Sequence, residues 1–114
     1  MVLAGNLRFL GSLRELGYWA MGNVHVPVIR EASWRYDNGL PCGEQANMAK
    51  LLAADAGYEA ADRAMQTHGG FGYATEYDVE RYWREARLMR IAPISQELVL
   101  SYLAEHVLGL PRSY

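Results

Sequence analysis

The chain has 114 residues, about half of them apolar, and a formal net charge of −2. Its length allows one domain with a modest core. The near-neutral balance leaves no basic stripe with interleaved aromatics for nucleic acid, and no apolar run is long enough to span a bilayer. The N-terminus, MVLAGNLRFLGSLRELG, lacks a basic start followed by a clean apolar stretch, so no secretory signal is read there. Cys42 is the only cysteine, which excludes an internal disulfide and fits a reducing compartment. The expectation is a soluble cytoplasmic domain.

In chain order, Leu7, Leu10, Leu13 and Leu16 recur at helical spacing near Phe9. Gly5, Gly11, Gly17 and Gly22 interrupt that pattern, and an interior glycine costs about 1 kcal/mol relative to alanine. Residues 1–28 are therefore read as an unplaced N-terminal helical segment. Pro27 suits a first-turn position of a helix over Val28 to Tyr36. Asp37, Asn38 and Gly39 form a turn, followed by Pro41.

The next segment carries the strongest helical pattern. Met48, Leu51, Ala54, Tyr58, Ala61, Met65 and His68 follow at steps of three or four, one face of a 3.6-residue helix. Glu44, Asn47, Lys50, Glu59, Asp62 and Arg63 fall on its other side, read as solvated. Gly69 and Gly70 stop it. A third helix is predicted from about Tyr77 to Met89, with Val79, Trp83 and Ala86 inward. Glu80, Arg81, Arg84, Glu85 and Arg87 face outward or pair there, Glu80 and Arg84 at a spacing of i, i+4. Pro93 is read as opening a fourth helix with Ile94, Leu98, Leu103 and Val107 apolar, closed by Gly109 and Pro111. No segment reads as a strand and no repeat is visible. The predicted architecture is an all-α, antiparallel up-and-down helical bundle.

The segment Gln66-Thr67-His68-Gly69-Gly70-Phe71-Gly72-Tyr73 is unusual for a simple bundle. Read from its residues alone, it is in the first place a helix C-cap followed by a turn. The alternative is a ligand contact: its glycines let a backbone come close, their N–H groups can form a nest for anionic oxygens, and Gln66 adds an amide donor. It matches neither the phosphate loop ending in Gly-Lys-Ser/Thr nor the dinucleotide fingerprint. His25, His68 and His106 have no partners at metal-ligand spacing, so no metal site is expected, and His68 is read as a core histidine. The charges between Glu76 and Arg90 read as a salt-bridged helix face. Tyr73, Tyr77, Tyr82 and Trp83 read as core or interface. No Ser/His/Asp or Cys/His pairing is evident.

From Gly43 to Ile91 the chain resembles the C-terminal domain of the acyl-CoA dehydrogenases. In that family a helix leads into Gln-x-x-Gly-Gly-x-Gly-Tyr, followed by a Glu-Tyr-x-Val-Glu-Arg helix and an acidic-basic pair. Here these pieces are QTHGGFGY (Gln66 to Tyr73), EYDVERYWREAR (Glu76 to Arg87) and Arg90-Ile91, in the same order and spacing. A weaker likeness reaches back through IREASWRYDNGLPCGEQANMAKLLA and forward to the end, so residues 29–114 are read as the C-terminal-like domain.

The resemblance implies FAD as cofactor, with Gln66, Gly69 and Gly70 contacting the pyrophosphate of a flavin held largely by a neighbouring subunit. It implies α,β-dehydrogenation of an acyl-CoA thioester, electron-transferring flavoprotein as electron acceptor, and a homo-oligomer. Many members place a catalytic glutamate in Tyr-Glu-Gly-Thr directly after the Arg-Ile pair. This sequence has Ala92-Pro93-Ile94-Ser95, so Pro93 stands at the base position and no catalytic residue is assigned. The ending resembles a bacterial subgroup with this altered motif. Some members, such as the isovaleryl type, carry the base on an earlier helix, which would lie before residue 1. Ser95 falls at the family's flavin-holding threonine, and Glu97 two residues beyond; both are counted as cofactor-binding. A family subunit also has an N-terminal helical domain and a β-domain, for which 114 residues leave no room. The expected role is part of an active site. The alternative is a non-catalytic helical oligomerisation module or truncated remnant, and a third reading is an unrelated helical interaction domain.

Overall fold

The computed structural model describes residues 25–112. The expectations for Leu7 to Leu16 lie outside them. Four α-helices follow in order: α1 over residues 25–37, α2 over Gly43–His68, α3 over Val79–Met89 and α4 over Gln96–His106. Two 3₁₀ turns, Gly69–Tyr73 and Thr75–Tyr77, join α2 to α3. No strand occurs among the described residues, and the fold is an all-α helical bundle.

The frame is α2, 26 residues long, or about 39 Å at the usual helical rise. It is rich in alanine and has no β-branched residue before Thr67, so little side-chain freedom is lost on forming it. Its small side chains also let neighbours approach, and α3 and α4 both pack on it. Gly43 shows the same economy at the N-terminal end: a Cβ there would stand 2.8 Å from Tyr102 Oη of α4. At the other end Gly69 takes a positive φ of 58° and its N–H donates to the Gln66 carbonyl. The turn after α1 follows its predicted chemistry, with Gly39 at φ 66° and Asn38 Nδ2 donating to the Trp34 carbonyl at 2.8 Å.

The core is small. Ala49 and Ala54 of α2, Val79 of α3 and Val99 of α4 are the buried apolar residues among those described. Many large apolar side chains stay exposed, among them Leu88, Met89, Ile91, Ile94 and Leu98. These side chains are not covered within the described residues.

Four expectations need correction. The third helix starts at Val79, not Tyr77, because Asp78 adopts a left-handed conformation with φ 55° and breaks the helical run; aspartate tolerates that region better than most residues. The fourth helix starts at Gln96, not Pro93. Residues 92–94 bend, and Ser95 in extended geometry caps α4, its Oγ accepting from Leu98 N at 3.4 Å. Within α4 the buried residue is Val99, 1 % exposed, whereas Leu98 is 54 % exposed. Leu98, Val99 and Leu100 are apolar in succession, so periodicity alone leaves the phase of the helix open. Finally, His68 is exposed rather than in the core, its Nδ1 2.9 Å from the Ala64 carbonyl.

The polar side of α2 is also less solvated than its pattern suggests. Trp83 Nε1 of α3 donates to Asp62 Oδ1 at 3.0 Å, and Lys50 Nζ donates to the Ile94 carbonyl at 2.6 Å. Both bonds tie α2 to later parts of the chain. On α3 the pairing of Glu80 with Arg84 forms as expected, as does an ion pair of Arg81 with Glu85. Trp83 is half-buried, while Tyr73, Tyr77 and Tyr82 are exposed.

Candidate cofactor-contacting site

The structure divides the five sequence-derived site residues into two groups. Gln66, Gly69 and Gly70 lie at the C-terminal end of α2 and in the 3₁₀ turn beyond it, all exposed. Ser95 and Glu97 lie at the N-terminal end of α4. Gln66 is eleven residues beyond Asp55, the α2 residue bonded to Gln96 between the two members of the second group, which is about 16 Å along the helix axis.

In the first group, helix termination and an open surface coincide. A Cβ at Gly69 or Gly70 would meet nothing within 4 Å. Gly69 is explained by its positive φ, but Gly70 has neither that conformation nor a crowding neighbour. Gly72, two residues on, is the structural glycine: it is buried, and its Cβ would sit 2.9 Å from the Met65 carbonyl oxygen. The turn is thus packed on its inner side by Gly72 and bare on its outer side at Gly69 and Gly70. The Gly69 N–H is engaged by the Gln66 carbonyl, so the opening for close approach of an outside group is at Gly70.

In the second group Ser95 is half-buried and Glu97 exposed. They line a shallow cleft of about 220 Å³ together with Arg87, Arg90, Ile91 and Gln96. The Glu97 carboxyl is held below its ordinary value chiefly by its own backbone N–H and next by Ser95; burial opposes this, and Arg87 and Arg90 add smaller favourable contributions. The Ser95 hydroxyl oxygen accepts from Leu98 N at 3.4 Å.

Beside this cleft is a cluster that the residue pattern did not reveal. Arg90 Nε lies 3.0 Å from Asp55 Oδ1 and donates to Gln96 Oε1 at 2.8 Å. Gln96 Nε2 in turn donates to Asp55 Oδ1 at 2.7 Å. The Arg90 guanidinium also lies over the Tyr58 ring, 5.1 Å from its centre, and Tyr58 packs 5.9 Å from Trp83. One sign of it was present in the sequence: Asp55 puts a carboxylate on the stripe that runs through Leu51 and Tyr58. Among the described residues no group of three or more His, Cys, Asp or Glu is arranged to hold a metal ion.

Residues 25–108 match the family described as acyl-CoA dehydrogenase, C-terminal domain. The chain belongs to the acyl-CoA dehydrogenase family. An acyl-CoA dehydrogenase of Mycobacterium tuberculosis is 51 % identical over 89 residues, covering 76 % of this chain and 23 % of the relative. The (2S)-methylsuccinyl-CoA dehydrogenase of Cereibacter sphaeroides is 37 % identical over 99 residues, covering 83 % of this chain and 18 % of that protein. The chain spans less than a quarter of the length of these curated relatives.

Among solved structures, butyryl-CoA dehydrogenase from Megasphaera elsdenii matches with a TM-score of 0.72 and 27 % identity, over 78 % of this chain and 23 % of that one. A chain in the structure of the electron transferring flavoprotein of Acidaminococcus fermentans matches with a TM-score of 0.74 and 26 % identity, over 91 % of this chain and 26 % of that one. The bundle described above thus corresponds to the C-terminal helical part of an acyl-CoA dehydrogenase. No described helix is long and apolar enough to cross a membrane.

Proposed function

We propose that this bundle supplies flavin contacts and subunit packing to an FAD-dependent acyl-CoA dehydrogenase. On this reading Gln66 and the bare backbone at Gly69 and Gly70 hold the flavin pyrophosphate, while Ser95 and Glu97 form a second contact at the head of α4. The observation that carries it is Gly70, a glycine that neither conformation nor crowding within the chain requires, one helical turn beyond the exposed Gln66.

Bound FAD would accept the hydride that leaves the β-carbon of an acyl-CoA thioester as the α-proton is removed. The described residues near the second group offer a poor base for that proton. Pro93 has no titratable group, and the Glu97 carboxyl is held below its ordinary value, which weakens it as a base. No base is therefore assigned among the described residues. The residues of this chain act by binding and orienting. The same reading places the enzyme in the cytoplasm as a homo-oligomer, with acyl-CoA as substrate and electron-transferring flavoprotein as electron acceptor.

A second reading, a non-catalytic helical oligomerisation module, is favoured by the apolar side chains left exposed at Leu88, Met89, Ile91, Ile94 and Leu98. Exposed large apolar side chains in this number favour coverage by another element. The two readings separate in one experiment: the visible absorption spectrum of the purified chain after incubation with FAD and removal of free cofactor. A retained flavin band that Gln66→Ala weakens supports the flavin contact. Self-association with no flavin band supports the module.

A further inference from the structure

Residues 90–96 join α3 to α4 as a closed loop. Its neck is shut by the backbone, where Gln96 N donates to the Arg90 carbonyl at 3.3 Å, and by the side chains, where Arg90 Nε donates to Gln96 Oε1 at 2.8 Å. Asp55 of α2 takes hold of both sides of that neck, 2.7 Å from Gln96 Nε2 and 3.0 Å from Arg90 Nε. Lys50, also of α2, donates to the Ile94 carbonyl at 2.6 Å within the loop. A connector of this length between helices has no inherent reason for so many fixed points. Here every one of them bears on the segment that presents Ser95.

We infer that Asp55, Arg90 and Gln96 are positioning residues for Ser95, fixing the loop so that the serine sits in extended geometry at the head of α4 with its hydroxyl oxygen on Leu98 N. The bearing of this on flavin binding rests on the function proposed above. The physical argument is that a side chain holds a precise place only when its own backbone is held. Ser95 is adjacent to Gln96, and Gln96 bonds three ways: by its N–H to Arg90, by its amide oxygen to Arg90 and by its amide nitrogen to Asp55. The two side-chain bonds are partly buried and each has a charged partner, the class of hydrogen bond worth most.

The test is a double-mutant cycle on the full chain without FAD, read by hydrogen exchange at the Leu98 amide, the group that Ser95 caps. Gln96→Leu should speed that exchange about five- to tenfold, the loss expected when a helix N-cap goes. Ser95→Ala should do the same, and the double variant should be no faster than Ser95→Ala alone. Gln96→Asn keeps an amide but is too short to reach both partners; it should behave like Gln96→Leu and guards against a general folding defect. Additive acceleration, or an unchanged Leu98 amide in both Gln96 variants, would overturn the positioning role. A parallel FAD titration separates this from the wider reading. If exchange is non-additive but the unaltered chain retains no flavin, the lock stands and the flavin contact falls. If flavin is retained but exchange is additive, the reverse holds.

Discussion

The Asp55 carboxylate of α2 and the Arg90 guanidinium at the end of α3 meet at 3.0 Å, each side chain about 30 % exposed. Neither is fully solvated, so each gains more from the other than an ordinary surface pair. Neither is fully dry, so the large desolvation cost of a buried ion pair is avoided. Gln96 closes the triangle by donating to the same oxygen, Asp55 Oδ1. Asp55→Ala leaves Arg90 and Gln96 short of a partner and should lower stability by about 1–2 kcal/mol. Urea unfolding followed by circular dichroism measures this, and an unchanged midpoint would mean the pair contributes nothing.

Two neighbouring glycines should respond oppositely to the same substitution. At Gly72 a Cβ would stand 2.9 Å from the Met65 carbonyl oxygen and 3.0 Å from His68 Cβ, and backbone of α2 cannot swing aside as a flexible side chain would. Gly72→Ala should destabilise by about 1–3 kcal/mol, the usual cost of overpacking. At Gly70 a Cβ meets nothing within 4 Å, so Gly70→Ala should leave thermal unfolding nearly unchanged. If the turn grips flavin, the same variant should still weaken FAD retention. A Gly70→Ala chain that folds normally and retains FAD as well as the unaltered chain would count against the contact.

These cases also show which parts of the molecule can be read from sequence. The course of α2 was legible because its determinants are local: alanine-rich composition, apolar steps of three and four, and a glycine end. The Gly39 turn and the Glu80–Arg84 pair were legible for the same reason. The phase of α4 was not, because three successive apolar residues at Leu98, Val99 and Leu100 fit more than one face. The start of α3 depends on one left-handed residue, Asp78, that no periodicity reports. The candidate flavin contacts came from a resemblance in motif order rather than from residue chemistry, which left Gln66 to Tyr73 as a cap or a nest. Least legible was the Asp55–Arg90–Gln96 cluster. Its members come from two helices and a connector, and only packing on α2 brings them together.

The Glu97 carboxyl gives a pH signature at the head of α4. Its folded-state pKa is lowered from the ordinary 4.5, chiefly by its own backbone N–H and next by the Ser95 hydroxyl. A depressed carboxylate contributes stability that is present above its unfolded value and lost as pH falls through its folded value. The first turn of α4 should therefore hold above about pH 4.5 and loosen on acidification below it. An NMR titration of the Glu97 side chain should give a midpoint below 4.5. In Ser95→Ala that midpoint should move up towards the ordinary value. A midpoint unaffected by Ser95→Ala would remove the hydroxyl as a cause.

The contact of Trp83 with Asp62 joins α3 to α2 by a single bond, 3.0 Å from indole nitrogen to carboxylate oxygen. The ring itself packs 5.9 Å from Tyr58. Trp83→Phe keeps an aromatic body against Tyr58 and removes only the donor, so it isolates the hydrogen bond from most of the packing. The expected loss is about 1 kcal/mol, since the acceptor is charged but exposed and water can replace the indole. Trp83→Ala removes the packing too and should cost more, about 3 kcal/mol or above if the site behaves as core. The gap between the two variants in urea unfolding measures what the ring contributes by volume. Equal losses would mean that α3 is held to α2 here by the bond alone, and that the half-buried ring is waiting for a surface outside this chain.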